Sequence, residues 1–368
     1  MLCIEKSKVK QASNCSVNKG SKQMKLGLIK TAAIALLALP SASFSESFSA
    51  TVVAGHPGVF RWVKMIDEAF VPGVEASLNG SGHTMSFDGQ YGGAIAKVGD
   101  ELETVEAGLA EIGICQSLFD PAKLAVQNVT YYTPFVSDDP RAVSELMDTL
   151  HDTDPRMTAA YAENGVVYLG APVGIDDYLL MTKFPIADLS DLDGKKIAAP
   201  GPAINWLSGT GAVGVSGNLT TYYNELKAGV YDGVIVFASA ALPGKLYEVA
   251  PYITKAGLGA QYAGALCANA DWYSSLPETA KSALHDGADA AKEWYLSALE
   301  GAVAKSLDVM GQNGATISDA SDTMRAEWAS GMKNAAKEWA AGLDAKGVPG
   351  SEVLSLYMTS MRNAGAAP

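Results

Sequence analysis

The chain has four histidines, His56, His83, His151 and His285, and they fall in unrelated segments. It contains no HExxH pair, no GxSxG elbow, no GxxxxGK[ST] loop and no paired CxxC. The Gly89-Gln90-Tyr91-Gly92-Gly93 run looks like a phosphate loop but lacks the lysine and hydroxyl such a loop needs. Hydrolytic metal, nucleophile-elbow and phosphate-cradle chemistry are therefore not written here, and no cofactor or metal is expected. What remains is recognition. His56, Gln90 and Gln116 each stand at the end of an expected strand, where an imidazole and two amides can meet hydroxyl or amide groups. Gly201, Asn205, Trp206 and Phe237 are expected to face them from a second domain. Tyr178, Trp206, Tyr222, Phe237 and Trp272 supply aromatic faces, suited to apolar walls or to an amine.

The elements that position these residues alternate. A strand over 48–54, a helix over 60–70 with Phe60, Val63, Ile66 and Phe70 facing the core, a strand over 84–87, a helix over 100–109 and a strand over 111–115 make a βαβαβ run. Such a run implies a parallel sheet covered on both faces, with ligands beyond the C-terminal strand ends. Helices over 137–152 and 155–164 and a strand over 166–171 follow. An apolar stretch at 172–181, interrupted by Asp176-Asp177, leads to a short strand over 196–199 closed by Pro200-Gly201. A helix from Thr220 and the apolar strand 234–237 complete an αβ unit. Ala280–Asn313 reads as one long alanine-rich helix bridging the domains, and 319–364 as further helix broken near 347–350.

Segment 188–251 resembles the DctP-type substrate-binding proteins of TRAP transporters. Asp191-Leu192-Asp193-Gly194-Lys195-Lys196-Ile197, Pro200-Gly201, Tyr223, Leu226 and Gly229-Val230-Tyr231-Asp232-Gly233 match the family's DL-x-G-x-K-I, PG, Tyr-x-x-Leu and G-V-x-DG pieces. Phe87 to Gly93, Glu101 to Gly108 and Ile112-Gly113 extend the likeness to the first half. The resemblance implies an α/β, two-domain type II periplasmic-binding-protein fold with a ligand cleft between the domains. It implies a periplasmic solute-binding subunit that captures a small polar solute by closing on it. The partners so implied are the solute and separate small and large integral membrane subunits, driven by an ion gradient. The family's carboxylate-binding arginine falls at Ala198, and a second arginine, on the strand entering the second domain, falls at Asp177. A carboxylate held by a bidentate guanidinium is thus not expected, and a cationic, zwitterionic or neutral solute is. The alternatives are an organic acid, such as a C4-dicarboxylate, held by another cation among Arg61, Lys183, Lys195 and Lys196, or service to an ABC importer.

A net charge of −13 with 48% hydrophobic residues argues against a disordered or nucleic-acid-binding chain. Residues 1–23 read as a probable mis-called start, and 24–45, with Lys25 and Lys30 before the apolar run 31–39, as a secretory signal peptide. That run is too short to span a bilayer, so no membrane span is expected in the mature chain. Residues 46–368 hold 20 basic and 39 acidic residues, a net −19. Domain I is expected over 46–172 plus 262–300 and domain II over 173–261 plus 301–368. Cys115 and Cys267 sit in apolar segments and read as two buried small hydrophobes, with pairing in an oxidising periplasm the alternative.

Overall fold

The computed structural model describes residues 46–366; the expected extension and signal peptide lie outside the described residues. Two sheets dominate. The first has five strands in the order β2 (Thr84–Tyr91), β1 (Ser47–Ala54), β3 (Ile112–Cys115), β12 (Ala265–Asn269) and β4 (Val166–Gly170). Strands β1, β2 and β3 run parallel, as the βαβαβ pattern requires, and β12 inserts antiparallel to both β3 and β4. The second sheet has the order β13 (Thr316–Asp319), β10 (Tyr252–Lys255), β6 (Tyr178–Thr182), β9 (Gly233–Phe237), β7 (Lys196–Ala199) and β8 (Val213–Ser216). β9 lies between β6 and β7, and all five of its residues, Gly-Val-Ile-Val-Phe, are buried. That is why it reads as a continuous apolar run rather than an alternating one. β2 is an edge strand, so its side chains are mostly exposed.

The chain passes between the sheets through two extended passages that lie side by side and a third time through the helices between β12 and β13. β5 (Gly174–Ile175) pairs antiparallel with β11 (Gln261–Tyr262), and Val173 and Ala263 exchange backbone bonds with Gly264 and Val173. The two sheets share a hydrophobic core: one cluster of buried residues runs from Ala50 and Val52 in β1 to Ile235 and Phe237 in β9.

Several elements differ from the sequence expectation. The helix starting at Arg61 does not stop at Phe70. It continues as a π-helical turn over Ile66–Phe70 and then over Val71–Leu78, with Pro72 directly after the π-helical turn that interrupts the regular amide ladder. The long helix expected over 280–313 is two helices, Glu278–Leu299 and Ala302–Gln312, parted at Glu300-Gly301. The first packs on the helices after β1, the second on the helix following β9, so the bridge between the sheets is bent. The C-terminal helices Ala335–Asp344 and Gly350–Asn363, assigned above to the second domain, pack against the turn Val126–Tyr132, and the last also meets helix Pro140–Thr153. Leu343, Val353, Tyr357 and Met361 share a core with Val53, Leu102 and Val105 of the first-sheet side.

Cys115 and Cys267 are joined by a disulfide, with Cα atoms 5.9 Å apart. This corrects the reading of two unpaired thiols. β12 returns antiparallel alongside β3 and places Cys267 opposite Gly113, two pairs along the ladder from Cys115 opposite Ala265. The diagonal neighbours on that ladder are close enough to bond. No helix among the described residues is long and apolar enough to cross a membrane.

Candidate functional site

Strand ends position the site. β1 ends at Ala54, and the chain turns through Gly55 to present His56, which is buried. Glu101, itself buried, holds this turn by accepting from the Gly55 amide at 2.9 Å and from the Gly99 amide at 2.6 Å. β3 ends at Cys115 and presents Gln116, whose Oε1 lies 3.0 Å from His56 Nδ1. From the second sheet, β6 begins at Tyr178 and β9 ends at Phe237, and these two residues are register partners. The four side chains line one small cavity of about 30 Å³ together with Trp62, Phe119, Tyr222, Pro200 and several aliphatic groups. A volume of that size accommodates about one or two waters. The cleft is therefore shut on itself.

Aromatic contacts make up most of the wall. His56 meets Trp62 edge-on with ring centroids 5.4 Å apart and Phe60 at 5.7 Å, and Phe60 stacks on Trp62 at 4.6 Å. Trp62 reaches Phe237 at 5.7 Å across the sheets, and Phe237 meets Tyr178 at 5.3 Å. Burial holds the His56 ring down at about 4, against a smaller upward effect of its bond to Gln116, so the ring is neutral at physiological pH.

Of the expected residues, the cavity gathers His56, Gln116, Tyr178 and Phe237. The other six lie elsewhere. Gln90 is in the edge strand β2, which extends past Phe87, and its amide donates to Asp88 at 3.0 Å. Trp206 is fully buried behind the wall, stacked on Tyr131 at 5.7 Å, with its indole N–H donating to the Tyr131 carbonyl at 2.6 Å. Asn205 borders a separate surface groove with Tyr132 and Trp339 and donates to the Tyr132 hydroxyl at 3.4 Å. These two residues join the turn Gly201–Leu207 to the turn Val126–Tyr132 rather than facing a ligand. Gly201 does meet the opposite side, but through its backbone: with φ +48° it packs against the Leu118 main chain so closely that a Cβ would stand 2.9 Å from the carbonyl carbon. Ala198 is fully buried in a second-sheet core with Tyr222 and Leu226 and does not reach the wall.

Asp177 overturns the expectation attached to it. It lines an open groove of about 830 Å³ on another face, with Asp138, Lys255 and Arg325 among its neighbours, and accepts from the Gly259 amide at 2.7 Å. Burial pushes it up to about 6 and Asp138 adds to this, opposed by the Gly259 bond, Arg325 and Lys255. Asp176, one position earlier, is fully buried with its two oxygens held by the Ser239 amide at 3.1 Å and hydroxyl at 2.5 Å. Neither carboxylate is among the residues that line the cavity. Arg61, Lys183, Lys195 and Lys196 are likewise absent from the wall, and Lys195 sits over the Phe184 ring at 5.0 Å. Among the described residues no group of three or more His, Cys, Asp or Glu is placed to hold a metal.

The residue that sequence reasoning passed over is Trp62. It falls off the Phe60–Val63–Ile66–Phe70 stripe, but this helix is buried on more than one side, and Trp62 is 2% exposed. An indole in the first turn after a strand-end loop is the signal that was available.

The family model for bacterial extracellular solute-binding proteins, family 7, also called DctP, matches residues 74–342. The ectoine-binding periplasmic protein TeaA of Halomonas elongata is 26% identical over 225 residues, 59% of this chain. The match spans 63% of that relative's length. The solved structure of the ectoine-binding protein of the TeaABC TRAP transporter from the same organism superposes with a TM-score of 0.73 at 20% identity, covering 86% of this chain and 99% of that one. DctP6 of Bordetella pertussis, an extracytoplasmic solute receptor binding pyroglutamic acid, gives 0.74 at 18% identity, covering 84% and 99%. A Sulfitobacter TRAP solute-binding protein with bound galacturonate gives 0.71 at 16%, covering 84% and 99%. With a family model over most of its length and that family's two-sheet fold around a cleft, the chain belongs to the bacterial extracellular solute-binding proteins of family 7.

Proposed function

We propose that this chain is the periplasmic solute-binding subunit of a TRAP-type, ion-gradient-driven importer, exported by the signal peptide expected at residues 24–45. The observation that carries the reading is the aromatic cavity shared by the C-terminal ends of β1, β3 and β9 and the start of β6, with the paired passages β5 and β11 and the bent helix pair running between the sheets. Two lobes hinged at those passages open to admit a small polar solute and close to hide it from water. The domain boundaries expected at 172/173 and 261/262 fall within or beside this hinge. Affinity for the closed form shifts the population toward it, and separate membrane subunits read the closed shape. Among the described residues the wall offers His56, Gln116, Trp62 and Tyr222 as polar groups and no guanidinium or ammonium, which disfavours a simple carboxylate as solute.

The test is a footprint of spent medium from a strain lacking the gene against its parent. One or a few small solutes should persist in the deletion culture and disappear on complementation, with uptake abolished by a protonophore or by removal of sodium. Identical footprints would reject the transport role, and uptake that followed cellular ATP alone would reject the TRAP assignment.

A further inference from the structure

Three polar atoms on the cavity-lining side chains have no partner among the described residues: His56 Nε2, Trp62 Nε1 and the Tyr222 hydroxyl. Buried donors and acceptors are almost always matched, so three unmatched on one small cavity require an explanation. We infer that they are reserved for the solute, and that the solute is an uncharged molecule presenting an N–H or O–H donor to His56 Nε2 and acceptor oxygens to the Trp62 indole and the Tyr222 hydroxyl. The inference rests on the cavity being the solute site.

The hydrogen-bond roles follow from the neighbours. With Gln116 Oε1 the atom placed 3.0 Å from His56 Nδ1, the ring proton is assigned to Nδ1, which leaves Nε2 of the neutral ring a bare lone pair. The ring is kept neutral by its burial. Gln116 thus acts as a positioning residue that fixes the tautomer. The Trp62 indole can only donate, while the Tyr222 hydroxyl can do either.

The charge follows from the wall. It consists of a neutral imidazole, an amide, aromatic rings, aliphatic groups and a proline, with no ionised side chain. A carboxylate or ammonium enclosed there would lose its hydration without a counter-charge. Asp176, next in sequence to Ile175 of the wall, already has both oxygens engaged by Ser239. A lactam, a primary amide or a polyol carries the required donor and acceptors with no net charge, and the lobes must part further to take it, since the cavity as it stands is about 30 Å³. The linked faces of Trp62, Phe237 and Tyr178 would cover its apolar side.

Thermal unfolding of the purified protein with matched probes separates the possibilities: pyroglutamamide against pyroglutamate, glucuronamide against glucuronate, and myo-inositol. At least one uncharged probe should raise the midpoint more than its carboxylate partner, and His56→Phe should abolish that shift. Carboxylates raising the midpoint alone would overturn the uncharged class while leaving the solute-binding reading intact. No shift with any uncharged probe would also overturn it, and the solute-binding reading would then be judged on the medium footprint. Tyr222→Phe gives a readout without ligand: removing an unmatched hydroxyl should leave the ligand-free midpoint unchanged or raise it, by about 2 °C. A clear fall would show that the hydroxyl is already partnered and is not held for a solute.

Discussion

Gly201 offers the sharpest test of cleft closure. It follows β7 of the second sheet and touches the Leu118 main chain beyond β3 of the first. Gly201→Ala does two separable things. At φ +48° a side chain costs about 1–2 kcal/mol in any state of the protein, open or closed. In the closed state alone, the new methyl group collides with the Leu118 carbonyl and would sit 2.9 Å from its carbon and 3.4 Å from the Leu118 Cβ. Backbone on both sides must give way, an overpacking cost of about 1–3 kcal/mol. Because this second cost falls only on the closed form, solute affinity should drop roughly 5- to 100-fold. Gly229→Ala supplies the control: Gly229 has φ +80° and nothing within 4 Å of an added Cβ, so it carries the conformational cost without the collision. Both variants should unfold at lower temperature than the parent. Only Gly201→Ala should weaken binding in titration calorimetry and enlarge the ligand-free radius of gyration in solution scattering. Indistinguishable affinity and scattering for the two variants would refute the claim that this contact closes the cleft.

Other expectations concern the disulfide, the hinge carboxylate and pH. Under denaturing, non-reducing conditions neither Cys115 nor Cys267 should react with iodoacetamide. Replacing both Cys115 and Cys267 by alanine should cost about 5 kcal/mol on the loop-entropy relation for a separation of 152 residues, read from guanidinium unfolding. Unchanged stability would show that the bond does not constrain the unfolded chain. Asp177→Asn should leave solute affinity within twofold, because the carboxylate faces the groove with Lys255 and Arg325 and not the cavity; a large change would return it to the site. Stability should rise as pH falls from 7.5 to about 5. Burial pushes Glu101 up to about 7 and Asp120, Asp176 and Asp177 up to about 6, so the fold takes up protons there that the unfolded chain does not. His56 and His151, held by burial at about 4, act in the opposite sense below about 6.5, where the unfolded chain binds their protons first. The four carboxyl shifts outweigh the two imidazole shifts, and a calorimetric midpoint that fell steadily from pH 7.5 to 5 would contradict this balance.

The strands and helices around the cleft were legible because each has one dominant local pattern. The parallel unit β1–β2–β3 follows from apolar runs ending in glycine-rich turns, and β9 from an unbroken buried run. The site was legible only in part. His56, Gln116 and Phe237 stand at strand ends, where the fold class directs attention. Asp177 was misplaced because residues 174–178 cross between sheets without a regular pleat, and a shift of one residue turns a side chain to the opposite face. Gln90 was lost to the extension of β2 through Tyr91. Trp206 and Asn205 bind to the turn Val126–Tyr132, a contact between segments separated by 73 and 75 residues that no local pattern contains. The disulfide was hidden for the same reason: it depends on the register in which β12 returns beside β3.

That same bond fixes how the molecule can be pulled apart. Between Cys115 and Cys267 lie β4 to β11, and so every strand of the second sheet except its edge strand β13. A force applied at the two termini would pass through the covalent bridge joining β3 to β12 and would leave the chain between the two cysteines, with β6 to β10, out of the stretched path, reaching β10 only through its pairing with β13. In a single-molecule extension trace the oxidised chain should be shorter than the reduced one by 152 residues, roughly 500 Å of contour.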